Sequence, residues 1–346
     1  DTRSITGATT YTSESSAGAL KINNLASVPT VGVNSGTDEL TVNFLDTALS
    51  GSADDLTLNL NNYVLDTTDT SEEIIAITDQ GGTTNKLETL TINSTSLPST
   101  IGDLQTTAVG TTTLAVTGDE DLFIDLALDT EITTISASGF TGSLTAIVGN
   151  TTATTVTTGS GNDVLTGAAG NDNIPSGAGN DTVSILAGTD TVSAGAGNDT
   201  IKVTTESDFT KADTIDGGAG TDSITFTADT TAVDDEDFTL VSNVETITAD
   251  AGIQLKALTL GAEAQAAGIN RVTFADDAKA DKVTVGAAFT SDLTVDLTSD
   301  GTATDIITAT DYTGNLTVNV AAANIDATST ATVLKGGKGT NKLVIE

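Results

Sequence analysis

The chain has 346 residues and a one-sided charge, 48 acidic against 12 basic, for a net charge of −36. That balance excludes most nucleic-acid binding, which needs clustered Lys and Arg, and it disfavours anionic membrane surfaces. Cys, His, Met and Trp are all absent. Disulfides, Ser-His-Asp and Cys-His triads and the H-E-x-x-H zinc site are therefore excluded, and no apolar run approaches the length of a membrane span.

In chain order, the first half reads as short strands. Leu40–Phe44 (LTVNF), Leu56–Leu60 (LTLNL), Leu87–Ile92 (LETLTI) and Leu114–Thr117 (LAVT) alternate apolar and polar residues with the period of a half-buried strand. The same alternation returns at Leu293–Leu297 (LTVDL) and Leu316–Val320 (LTVNV). Helical signal is thin: Ala262–Ala267 (AEAQAA) suits a turn or two, and Thr70–Ile75 is a weaker candidate. The fold class expected is all-β.

Residues 158–225 stand apart. They repeat a nine-residue unit of Gly-rich turn, Asp and short strand: TGSGNDVLT from Thr158, GAAGNDNIP from Gly167, SGAGNDTVS from Ser176, ILAGTDTVS from Ile185, AGAGNDTIK from Ala194 and GGAGTDSIT from Gly217. Asp163, Asp172, Asp181, Asp190 and Asp199 fall nine residues apart, each followed two places later by an aliphatic residue: Leu165, Ile174, Val183, Val192 and Ile201. Glycine permits positive φ and leaves turn carbonyls unobstructed, and the Asp adds a carboxylate. Two nonapeptides make one coil, so turns eighteen residues apart stack about 4.8 Å apart. Asp163, Asp181 and Asp199 then form one column, and Asp172 and Asp190 another. Carboxylates so close repel unless a cation lies between them, and an all-oxygen shell suits Ca²⁺. A metal-free array of ordinary Gly/Asp turns is the alternative reading.

The nonapeptide resembles G-G-x-G-x-D-x-U-x, the calcium-binding repeat of RTX proteins. The resemblance implies a parallel β-roll or β-solenoid with Ca²⁺ between successive turns. Its metal residues here are Asp163, Asp172, Asp181, Asp190, Asp199, Asp213 and Asp222. The turn residues are Gly159, Gly161, Asn162, Gly170, Asn171, Gly177, Gly179, Asn180, Gly195, Gly197, Asn198, Gly218 and Gly220. Val203–Ser207 place five residues out of register, so a bulge or loop is expected there.

Degenerate copies lie outside the array. Gly36–Val42 (GTDELTV) keeps the Asp and the strand, whereas Gly81–Leu87 (GGTTNKL) and Gly336–Leu343 (GGKGTNKL) have Asn85 and Asn341 where Asp would bind metal. The latter two read as metal-free coils. A longer repeat pairs Asn85–Thr91 (NKLETLT) with Asn243–Thr248 (NVETIT), and Ile135–Leu144 (ISASGFTGSL) with Ile307–Leu316 (ITATDYTGNL). These motifs, joined to the array, are similar to those of Gram-negative bacterial S-layer proteins and large RTX adhesins. Four regions follow: a β-rich segment at 1–84, tail of a preceding unit; a β-rich unit at 85–157; the array at 158–225; and a second β-rich unit at 226–346 ending in a degenerate turn. The flanking segments either continue the solenoid or form β-sandwiches.

Two further signals are weak. Asp234–Asp237 (DDED) suits a solvated loop or an extra Ca²⁺ site at a subunit contact. Ice binding through turn threonines is disfavoured, because those positions hold Ser160, Ala169, Ala178 and Ala196. The function expected is structural rather than enzymatic: a secreted, calcium-dependent protein that self-assembles at a Gram-negative cell surface by a type I route. Its partners would be further copies of itself and cell-surface polysaccharide. A filament or adhesin, or the C-terminal module of a secreted enzyme, are the alternatives. A chain that begins at Asp1 without internal Met suggests a processed product or a fragment.

Overall fold

A computed structural model describes residues 10–14, 19–35, 39–45, 47–51, 53–64, 74–80, 86–275, 279–297, 305–320 and 333–345. It divides into two compact units, Asp1–Asp181 and Thr182–Glu346. Both are parallel β-solenoids. Strand pairing among the described residues is parallel from Thr10↔Thr30 to Val320↔Ile345. The segments before and after the array are therefore coils of the same kind and not β-sandwiches, which need antiparallel strands in two facing sheets.

In the N-terminal unit one sheet runs through Thr10–Glu14, Thr30–Asn34, Asp55–Asn61, Thr89–Ser94, Thr113–Gly118, Thr134–Ser136, Thr155–Thr157 and Asn173–Pro175. A second sheet is formed by Leu20–Leu25, Leu40–Phe44, Ile74–Asp79 and Asp103–Gln105, and a third by Ser99–Ile101, Leu122–Ile124, Leu144–Ile147 and Val164–Thr166. In the C-terminal unit the longest sheet runs from Thr182–Ile185 through Thr200–Val203, Ser223–Phe226, Thr246–Ala249, Arg271–Phe274, Leu293–Leu297 and Leu316–Val320 to Asn341–Ile345. Leu258–Leu260, Lys282–Val285, Ile306–Thr308 and Val333–Lys335 form a second side.

Strand alternation decides which residues face inward. Thr, Asn and Ser stand on the outer face, as in the row Thr89, Thr113, Thr134 and Thr155, while Leu90, Leu114, Ile135 and Val156 are buried beneath. Coil length varies. Register steps of 27, 34, 24 and 21 residues (Thr30↔Thr57, Asp55↔Thr89, Thr89↔Thr113, Thr134↔Thr155) shorten to 18 at Thr155↔Asn173 and Thr182↔Thr200. They widen again to 23 and 25 at Ser223↔Thr246 and Thr246↔Arg271. Long coils bury several large side chains, such as Leu56, Leu58, Leu60 and Tyr63. The three-residue array strands bury one each, such as Leu165 or Ile174, and the four-residue strands two, such as Val183 and Ile185.

The strands expected at Leu40–Phe44, Leu293–Leu297 and Leu316–Val320 are present with those bounds. Ala262–Ala267 is an α-helix closed by Gly268 at φ 108°. Of Thr70–Ile75, residues 70–73 lie outside the described residues, and Ile74–Asp79 is a strand. The five extra residues after Val203 form a buttress rather than a loose bulge. Glu206–Asp208 is a 3₁₀ turn closed by a capping box with Thr205. It delivers Phe209 to the interior, edge-on to Phe226 and Phe238 with ring centroids 6.0 and 5.3 Å apart. Asp234–Asp237 is a partly exposed turn. Asp237 caps the N–H of Asp234, and Asp235 accepts N–H bonds from Gly261 and Ala264 at the start of the α-helix, so these carboxylates terminate local backbone. Among the described residues no helix is long and apolar enough to cross a membrane.

Candidate calcium-binding array

The array turns are held by one contact repeated along the stack. A buried Asp carboxylate accepts the backbone N–H of a residue one coil earlier. Asp163 N–H donates to Asp181 Oδ1 at 2.8 Å, Asp190 N–H to Asp213 Oδ1 at 2.8 Å, and Asp199 N–H to Asp222 Oδ1 at 2.7 Å. Asp163 and Asp172 each take an N–H from the preceding coil, Leu144 at 2.7 Å and Thr154 at 2.8 Å, and Asp172 also takes Ala168 N–H from its own turn. All seven Asp side chains are buried. The Asn before Asp163, Asp181 and Asp199 stacks outside this line: Asn180 N–H donates to Asn162 Oδ1 at 2.7 Å, and Thr221 N–H to Asn198 Oδ1 at 2.8 Å. Asn171 is exposed.

Glycine is required here by close approach. A Cβ at Gly159, Gly161 or Gly170 would collide with the carbonyl oxygens of Phe140, Gly142 and Thr152. At Gly177 and Gly179 it would collide with Gly159 O and Gly161 O, and at Gly218 and Gly220 with Gly195 O and Gly197 O. Gly177, Gly179, Gly195, Gly197, Gly218 and Gly220 also have positive φ. Turn carbonyls are thereby stacked within one strand spacing of one another.

Such a stack concentrates negative potential. Burial raises the Asp163 carboxyl above its ordinary range, against the N–H of Leu144 and the hydroxyl of Thr158, which lower it. Burial also raises Asp172. Asp222 is pushed up to about 6, first by burial and then by the charges of Asp199, Glu245 and Asp216. Its Oδ2 is fully enclosed and accepts no hydrogen bond among the described residues. A buried carboxylate oxygen without a donor requires a proton or a cation. Among the described residues no three Asp or Glu side chains converge on one point. An ion here must take most of its ligands from turn carbonyls, a donor set that suits Ca²⁺.

The degenerate turn at Gly336–Leu343 provides the contrast. Asn341 has the place of the array Asp, and its side-chain amide donates to Gly337 O at 2.9 Å and Gly339 O at 3.1 Å, while its Oδ1 accepts Gly337 N–H. The amide hydrogens neutralise turn carbonyls that a carboxylate cannot satisfy without an ion. The coil beneath is alike in both places. Phe140 and Tyr312 are buried, each donates its N–H to an Ala carbonyl three residues earlier, and each offers its own carbonyl to the Gly-rich turn above. Asn85 and most of Gly81–Leu87 lie outside the described residues, as does 36–38 of the first degenerate copy.

Four acidic residues that sequence reasoning missed make the same backbone contact. Glu88 accepts Asp54 N–H at 2.9 Å, Glu245 accepts Asp222 N–H at 2.8 Å, Asp281 accepts Leu255 N–H at 2.6 Å, and Asp305 accepts Asp281 N–H at 3.0 Å. Their signal is an acid two residues before a buried aliphatic: Leu90, Ile247, Val283 and Ile307. The two glutamates are those of the repeated NKLETLT and NVETIT stretches.

A family profile described as the RTX calcium-binding nonapeptide repeat (4 copies) matches residues 148–183, 186–202 and 210–229. The chain thus contains RTX repeats, which bind calcium ions and are typical of secreted proteins. Comparison with curated proteins and with solved structures finds no match.

Proposed function

We propose that this is a secreted, non-enzymatic structural protein whose calcium-closed coils assemble into a bacterial surface layer. The observation that supports calcium control is the enclosed, donorless Oδ2 of Asp222 in a stack of buried carboxylates. When bound, Ca²⁺ supplies the positive charge that lets these groups stay ionised inside the fold. The chain's own residues do the rest: Asp181, Asp213 and Asp222 fix neighbouring turns through backbone N–H groups, and the glycines admit the carbonyls. Binding energy then becomes folding energy, so the array folds where calcium is plentiful. Assembly is supported by the S-layer-like order of motifs and by a net charge of −36, which further cations can bridge between copies.

The test is electron microscopy of the purified chain with calcium and after chelation. Ordered sheets that form with calcium and dissolve with chelator are expected. Sheets that persist in chelator would sink the calcium part, and a protein that stays monomeric in calcium would sink assembly. A second reading, a filament or adhesin, is favoured by the likeness of the Tyr312 and Phe140 coils, since a coil type that recurs suits head-to-tail continuation. One-dimensional polymers in place of sheets would select it.

A further inference from the structure

We infer that the array's calcium sites extend one coil beyond its last nonapeptide, into a site closed by Asp222, the Asn243 carbonyl and Glu245. The inference rests on calcium binding by the array and not on assembly. Three observations carry it. First, Glu245 continues the carboxylate line: Asp222 N–H donates to Glu245 Oε2 at 2.8 Å, as Asp199 N–H donates to Asp222 Oδ1 at 2.7 Å. Second, Asp222 is fully buried, and its Oδ2 has no hydrogen-bond donor. Third, the absence of a side chain at Gly217 lets two oxygens of successive coils come close together. The position of its missing Cβ is 2.9 Å from Asp222 Oδ2, and the Asn243 carbonyl oxygen, from the next coil, is closer still.

Two oxygens from successive coils thus face the same small space, and Glu245 has a second carboxylate oxygen two residues beyond Asn243. The other carboxylates acting on Asp222 are Asp199 and Asp216. Of these, Asp216 accepts Gly218 N–H at 3.1 Å and the Asn243 amide at 2.7 Å on Oδ1. Carboxylate and carbonyl oxygens from adjacent turns are a hard, flexible donor set of the kind Ca²⁺ takes. Neither Asn243 nor Glu245 lies within the residues matched by the nonapeptide profile, which end at 229. Asn243 holds φ 53°, in the left-handed region.

The experiment compares the parent chain with Glu245→Gln and with Glu88→Gln. Glutamine keeps an oxygen to accept the backbone N–H and removes the charge. Calcium bound per chain is counted by equilibrium dialysis with elemental analysis, and circular dichroism in calcium reports the fold. Glu245→Gln is expected to fold and to bind one calcium fewer than the parent, while Glu88→Gln binds as many as the parent. Equal counts in parent and Glu245→Gln would overturn the inference and leave Glu245 as a backbone tether. If Glu245→Gln does not fold, Glu245→Asp, which keeps the charge and shortens its reach, decides instead: a folded variant with the full calcium count and the parent's calcium affinity also overturns it. A parent that binds no calcium would instead overturn calcium binding by the array itself.

Discussion

An array coil and a flanking coil solve the same problem with different means. The coil that includes Asp55–Asn61 buries Leu56, Leu58 and Leu60 from a single strand, each contributing about 1.5–3 kcal/mol. An eighteen-residue array coil has strands of three or four residues, with one inward aliphatic in Val164–Thr166 and in Asn173–Pro175 and two in Thr182–Ile185. Shortening the coil to its minimum removes most of the apolar interior. What replaces it is a column of buried carboxylates and turn carbonyls whose charge a cation or a proton must offset. The Asn341 turn shows the third solution, in which an amide takes the place of carboxylate plus ion. Among the three, array coils alone can be switched by the composition of the solvent.

The sharpest way to break this comparison is chelation. Hydrogen exchange with and without calcium is expected to show protection lost across 158–225 and retained in the strands Thr89–Ser94 and Thr113–Gly118. Uniform loss along the chain would mean that the flanking coils depend on the ion as well.

A smaller effect follows from the charge on Asp222. Its carboxyl is held at about 6, above the ordinary 3.8, because burial penalises the charged form. A group raised in the folded state favours folding while protonated; that contribution is full below 3.8 and is lost as pH rises through about 6. Asp163 and Asp172 shift in the same direction. Metal-free protein should therefore melt at a higher temperature near pH 4.5 than near pH 7.5, and calcium-loaded protein the reverse, as protons displace the ion (both pH values are about 1.5 units from the Asp222 midpoint). Asp222→Asn should remove most of the acid stabilisation in the metal-free state and raise the calcium midpoint about tenfold, or about 1.4 kcal/mol. A metal-free melting curve that does not move with pH would contradict the burial argument.

The smallest effect is expected from Asn341→Asp, which converts one amide-closed turn to the array type. Its coil should lose exchange protection in chelator and regain it with calcium, with the rest of the chain unchanged. Unchanged protection in chelator would show that Lys338 and Lys342 neutralise the turn by themselves.

The array was legible because its turns have constant length, so Asp163 to Asp199 recur with a period that survives in the linear sequence. Strands such as Leu40–Phe44 were legible from alternation alone. Glu88, Glu245, Asp281 and Asp305 were not, although they make the same contact. Their coils run to 24, 25 or 34 residues, and insertions of unequal length erase the period while the register in space is kept. Phe209 was hidden for a related reason. Five residues that break the repeat look like an interruption in sequence, and only the packing on Phe226 and Phe238 shows that the interruption supplies the core the shorter coils lack.

The carboxylate contacts between array coils have a direction. Asp181 grips the N–H of Asp163, Asp213 that of Asp190 and Asp222 that of Asp199, and in each case the later residue secures the earlier one. Order in such a stack is inherited backwards along the chain. Within each unit, removing a coil from the C-terminal side unlatches the buried carboxylate contact on its predecessor, whereas removing one from the N-terminal side breaks only the outer Asn contact, in which the earlier Asn162 or Asn198 accepts the later N–H. Damage to the buried line should then travel one way, like stitches that run from a single end.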